Sequence, residues 1–326
     1  MKKFIKTHLH TLLILAGILL IIGLVAFIVL RFTNFINFVT IDKEISDEAI
    51  ASYTDNNDIV MPVLDKDGYI LKRDVENILI LGNGPFALDK DSKNGLAAML
   101  ADKTGANVIN CALPGTYACQ IDTENILTNP MDVYSPYYLA MYKAFPEAVS
   151  EQFDAAYKAL GSDNPEGAKE VLDTLSSLDM STVQVLVLFY DLTDYYMDHP
   201  RDSKDAALDE GSFGGNIYRT VHLFNAVYPE VRIIVMSPYY NPAKDDNGNE
   251  ISAELVKNSY GNPSAYVYAE IGTVQSICTA SFMDNYFGSI TEDNYTGYLN
   301  SDGRTLNKAG RELMTKRLVS FITAFK

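Results

Sequence analysis

The chain has 326 residues, 48% of them apolar, and a formal net charge of −16, enough for one large core or two modest ones. From residue 41 onward 22 basic residues stand against 42 acidic ones. That balance excludes a nucleic-acid footprint, so no nucleic-acid partner is expected, and it would repel anionic headgroups.

Residues 1–10 carry Lys2, Lys3 and Lys6, and residues 11–30 follow without one charged side chain. As a helix at 1.5 Å per residue, that stretch would be roughly 30 Å long, the thickness of a bilayer's hydrocarbon core. Arg31-Phe32-Thr33-Asn34 comes next where a signal peptide would have a small-residue cleavage site, which favours an uncleaved anchor contacting membrane lipid. The lysines before the span place residues 1–10 in the cytoplasm and the rest outside the cell membrane, as a single-pass protein. Residues 31–74 read as a stalk and a β-hairpin: residues 31–60 are mixed and fit a stalk or an edge element, and Met61–Lys72 is the hairpin, turning at Asp67-Gly68.

Residues 75–326 read as one domain. Ile78–Leu81, Val108–Cys111, Val183–Tyr190, Val231–Met236 and Ala280–Asp284 are continuous apolar runs, as strands buried on both faces would be. Helix-like stretches lie between them: Leu96–Lys103, Ala140–Leu160, Pro165–Leu178, Ile217–Ala226 and, at the end, Arg311–Phe325. Gly161-Ser162-Asp163-Asn164 breaks the second of these from the third. The fold class is therefore α/β: a three-layer α/β/α sandwich with a five-stranded parallel sheet of the flavodoxin-like type. Cys111, Cys119 and Cys278 are odd in number; a Cys111–Cys119 bridge and buried thiols both fit.

The first strand runs into Gly82-Asn83-Gly84-Pro85-Phe86-Ala87, a formal match to the dinucleotide fingerprint. Pro85 leads into the polar stretch Leu88–Lys93, where that fingerprint needs an opening helix, and Asn110-Cys111 offers no acid for a ribose hydroxyl. No cofactor is expected. Asp245-Asp246-Asn247-Gly248-Asn249 begins like a calcium loop, but Val256 stands where the bidentate glutamate belongs. Asp65–Gly68 and Asp89–Asp91 are also short of ligands, so all three read as turns and no metal site is expected. Tyr190, Tyr195, Tyr196, Tyr239 and Tyr240 lie at or past strand ends, where their rings could stack on sugars or simply cap the core.

Tyr298–Gly310, YLNSDGRTLNKAG, ahead of the last helix resembles the final block of the SGNH/GDSL hydrolase superfamily, Asp-Gly-x-His-x-Asn-x-x-Gly. ILILGNGP, VINCALPGTYA, VLVLFYDLTDYY, YPEVRIIVMSP and SFMDNYFGSI are similar to the family's earlier blocks, in the right order over residues 75–326. The resemblance implies that fold and an ester-hydrolase ancestry. It puts the nucleophilic serine at Gly84, with Asn83 in place of aspartate, and the oxyanion glycine at Gly115. It puts the oxyanion asparagine at Thr193, the aspartate at Asp302 and the histidine at Thr305. Glycine has no hydroxyl, and threonine cannot take a proton near neutral pH, so no residue is assigned a catalytic role.

The leading expectation is a membrane-anchored extracytoplasmic pseudoenzyme binding cell-envelope glycan or a protein partner the sequence does not name. One alternative is an active carbohydrate esterase or acyltransferase with a relocated triad, His199 with Ser92 or Thr116, Cys119 being a further nucleophile near the strand ends. His222 reads as an exposed helix residue. Another is a purely structural envelope-complex subunit.

Overall fold

The computed structural model describes residues 57–202 and 210–325. The expected cytoplasmic tail, the anchor and the first part of the stalk lie outside them. Among the described residues, no helix is long and apolar enough to cross a membrane.

The five predicted runs form one parallel sheet: β1 (Asn77–Gly82), β2 (Asn107–Asn110), β3 (Val185–Phe189), β4 (Arg232–Met236) and β7 (Ser281–Met283). Between β4 and β7 a separate antiparallel pair, β5 (Ala243–Lys244) and β6 (Glu250–Ile251), makes a small hairpin. The sheet order is β2-β1-β3-β4-β7, the flavodoxin-like winding, whose direction reverses between β1 and β3. In folds of this winding, ligands bind outside the carboxyl ends of the strands at such a reversal.

Alternate strand residues point to opposite faces, so the sheet feeds two cores. Leu79, Leu81, Leu186, Leu188, Ile233 and Val235 belong to the larger one. Its helices are α3 (Pro136–Ala144), α4 (Pro146–Leu160), α5 (Ala168–Ser177), α7 (Phe213–Val227) and α8 (Pro263–Ile277). Ile78, Ile80, Val185, Val187, Ile234 and Met236 face the other core, covered by α2 (Leu96–Thr104) and α9 (Lys308–Thr323). One-turn helices, α1 (Gly84–Ala87) and α6 (Thr193–Tyr196), follow β1 and β3. All of β3 and β4 is buried, as continuous apolar runs require.

Three expectations change. The predicted helix Ala140–Leu160 is two helices, because Pro146 lacks an N–H and drives Phe145 out of the helical region, to φ −141° and ψ 62°. A helix does open inside the glycine motif, α1, although it lasts a single turn. The segment from Asn57 to residue 74 packs on the domain, and at Ile59 it is the edge element of the two readings rather than a stalk. Ile59 and Phe282 exchange backbone hydrogen bonds of 2.8 and 2.7 Å in an antiparallel bridge. Arg317 of α9 then grips both oxygens of Asp58, at 2.8 and 2.6 Å. The predicted hairpin follows, with Leu64 bridged to Ile70 and Gly68 turning at φ +84°.

Candidate functional site

At the end of β1 the chain comes so close to β3 that a Cβ on Gly82 would meet the Phe189 carbonyl oxygen at 2.3 Å. Only glycine fits there. The next residue, Asn83, is buried and joins three loops. Its Nδ2 donates to the Thr116 carbonyl (3.0 Å) after β2 and to Asp191 Oδ1 (2.8 Å) after β3. Its Oδ1 accepts the Asp191 N–H at 2.9 Å.

Asp191 is the residue sequence reasoning missed. Its Oδ1 also accepts the Thr193 N–H (2.9 Å) and hydroxyl (2.6 Å). Its Oδ2 lies 2.8 Å from where a Cβ on Gly84 would stand. Burial pushes the Asp191 carboxyl above the ordinary range, against the pull of its Thr193 and Asn83 bonds. The Thr193 hydroxyl and N–H are thereby both committed to Asp191. Gly115 occupies an exposed turn after β2 at φ +73°, a left-handed conformation that suits glycine.

Asp302 is not idle. Its Oδ1 accepts the Arg304 and Thr305 N–H groups (2.8 and 2.9 Å), and Oδ2 accepts the Thr305 hydroxyl. Asp302 and Thr305 are thus bonded to each other. Those bonds outweigh desolvation and hold Asp302 below the ordinary carboxylate range. Tyr239 ties this block to the rest: its hydroxyl donates to the Arg304 carbonyl at 2.8 Å. Burial, then Asp191, then Tyr196 and Asp302 drive that hydroxyl's pKa well up, so Tyr239 lies within the field of both carboxylates. The Arg304 guanidinium sits 4.3 Å over the Tyr196 ring.

Of the five tyrosines expected near the rim, only Tyr196 is exposed, at 42%; Tyr190, Tyr195, Tyr239 and Tyr240 are buried. The structure also leaves the relocated triad unassembled. His199 is buried against Asp194, with Nδ1 3.1 Å from Oδ1, and its ring meets the Tyr117 edge at 4.6 Å. The Thr116 hydroxyl donates instead to the Leu113 carbonyl (2.9 Å), and Ser92 accepts the Asn94 N–H (3.1 Å). Ser92 lines a cavity of about 400 Å³ with Lys90, Pro114 and Glu166. His222 is exposed on α7. Asp245 and Asp65 each accept two backbone N–H groups of their own turns, as expected for turn residues. No disulfide forms: Cys111 and Cys119 are buried and Cys278 is exposed.

A second buried polar cluster lies behind the site. Asp194 accepts the Ala118 and Cys119 N–H groups at 2.8 and 2.9 Å, fixing the loop after β2 to the turn after β3. The Tyr117 hydroxyl donates to the buried Asp132 at 2.8 Å, whose other oxygen accepts the Ile121 and Asp122 N–H groups. Burial raises the Asp132 carboxyl to about 6.

The sheet order with its reversal between β1 and β3, the glycine turn after β1 and the Asp302–Gly310 segment leading into the last helix make up a flavodoxin-like α/β/α fold. One solved structure shares it at a TM-score of 0.53, with 15% identity over 78% of this chain and 99% of that one. A protein from Lactobacillus plantarum aligns at a TM-score of 0.48, with 16% identity over 78% and 99% of the two chains. A carbohydrate acetylesterase from Sinorhizobium meliloti aligns at 0.43, with 11% identity over 77% and 100%. No protein-family model and no curated protein matches the chain.

Proposed function

We propose that this protein is a membrane-anchored pseudoenzyme, an SGNH-fold domain held outside the cell membrane that binds cell-envelope glycan without cleaving it. The observation that carries the reading is the Asp191 carboxylate beside Gly84. A half-buried acid stands where a nucleophile would have to grow, and three hydrogen bonds on its other oxygen hold it there. Ester hydrolysis needs a hydroxyl activated by an imidazole that a carboxylate orients. Here the first is absent, the second is Thr305, and the third is bonded to Thr305. The exposed Tyr196 ring, backed by Arg304, offers the aromatic surface and cation on which a sugar ring and its hydroxyls can rest.

The test incubates the purified protein with p-nitrophenyl acetate and with acetylated glycans, and titrates deacetylated glycans by calorimetry. The reading expects no turnover above buffer and saturable glycan binding that weakens in Tyr196→Ala. Turnover that Asp191→Ala or Asp302→Ala abolishes would overturn it.

A further inference from the structure

Three side chains of metal-binding type, from sequence positions 119, 194 and 199, meet in the second buried cluster. One ligand atom from each of Cys119, Asp194 and His199 lies within 4.8 Å of the other two, and all three residues are buried. His199 Nδ1 and Asp194 Oδ1 are 3.1 Å apart. Ligands about 2.0 Å from a tetrahedral zinc are about 3.3 Å from each other, so this pair already has the separation of two zinc ligands. The Gly211 carbonyl oxygen, 3.1 Å from Cys119 Sγ, adds an oxygen on the thiol's side. The Tyr190 hydroxyl, fully buried and within the field of Asp194, has no hydrogen-bond partner among the described residues.

We propose that Cys119, Asp194 and His199 form a structural zinc site, with the Gly211 carbonyl or a water as fourth ligand. Thiol and imidazole together favour zinc over calcium or magnesium, which take oxygen ligands. Loading is balanced in charge. The thiol gives up its proton to solvent as the Zn–S bond forms, and the imidazole binds through Nδ1 with its proton on Nε2. The thiolate and carboxylate then cancel the two charges of the ion, so nothing uncompensated is buried. The ion would lock the loop after β2 to the turn after β3, the two segments that Asn83 also joins.

The test loads the full chain, purified without chelator, with one equivalent of cobalt(II). A site of this kind gives an intense thiolate-to-cobalt charge-transfer band that one equivalent of zinc removes. Cys119→Ser should lose the band and Cys278→Ser keep it, and His199→Ala should weaken zinc binding at least about ten-fold. A wild-type chain that shows no thiolate–cobalt band overturns the proposal whatever the variants do, and so does a band that survives Cys119→Ser.

Discussion

Asp191 and Gly84 compete for one space: Oδ2 of the acid is 2.8 Å from where the Cβ of any larger residue at 84 would stand. The acid cannot swing aside cheaply, because its Oδ1 would have to leave Asn83 Nδ2 and both donors of Thr193. Gly84→Ala is therefore expected to destabilise the fold by about 1–3 kcal/mol, the usual range for overpacking. Asp191→Gly should recover part of that cost in the double variant. Urea unfolding of the two single variants and the double one measures the coupling, and strictly additive costs would mean the residues do not contest the space.

The same geometry sets the order in which hydrolysis could be rebuilt. Gly84→Ser alone should stay inactive, since the new side chain meets Asp191 and has no base. Combining Gly84→Ser, Asp191→Gly and Thr305→His places a hydroxyl, an imidazole and Asp302 in the family's slots. That variant is expected to cleave p-nitrophenyl acetate at least about ten-fold faster than wild type, with Asp302→Ala removing most of the gain. If the triple variant is as inert as wild type, the slots assigned to Gly84 and Thr305 do not face each other across the crevice.

The sheet was legible because its central strands, β1 and β3 above all, are apolar runs, and burial on both faces leaves that mark in the sequence; β2, Asn-Val-Ile-Asn at the edge, carries it only weakly. The split at Phe145 was not read from the sequence: Pro146 is its signal, but helix-forming residues on both sides masked it. Helix α8 carries its own start signal, Asn262-Pro263, followed by Tyr266, Val267, Ile271 and Val274 as its buried stripe. Its tyrosines and β-branched residues lower its helical propensity, so tertiary packing decides its state. Asp191 escaped notice for a different reason. An acid two residues past a strand end has many ordinary uses, and its meaning depends on Gly84, 107 positions earlier, coming within contact distance. Cys119, Asp194 and His199 likewise have no sequence spacing that a ligand pattern would match.

The run from Asn57 to Leu64 is fastened to the domain at several points, among them Asp58, whose side chain is 6% exposed and held by Arg317. Burial raises the Asp58 carboxyl, and the guanidinium works against that rise. Removing the cation leaves a buried acid without its counter-charge, so Arg317→Ala is expected to cost about 3–5 kcal/mol. Arg317→Lys should cost less but still lose the two-pronged grip. Hydrogen exchange at Ile59, bonded to the Phe282 carbonyl, reads the local effect. Unchanged protection at that amide in Arg317→Ala would show that the strand bridge holds this segment unaided.

Asp132 sets a pH dependence that can be isolated. Its carboxyl is fully buried and raised to about 6, chiefly by desolvation, whereas an unfolded aspartate titrates near 3.9. A raised folded-state value means that the native state binds the proton more tightly than the unfolded chain. The stabilisation is complete below about pH 4 and is lost as pH climbs through about 6. The sign is opposite to that of a salt-bridged acid. One proton is involved, so the loss between those limits has a slope of up to about 1.4 kcal/mol per pH unit. Burial also raises Asp58 and Glu270, and both push in the same direction. The decisive quantity is therefore the difference in slope between wild type and Asp132→Asn, measured by urea unfolding from pH 4 to pH 7. The amide variant should be less stable overall, because Ile121 and Asp122 share an acceptor that the amide group cannot fully replace. Its unfolding free energy should nevertheless fall less steeply with pH, and parallel curves for the two proteins would show that Asp132 titrates normally in the fold.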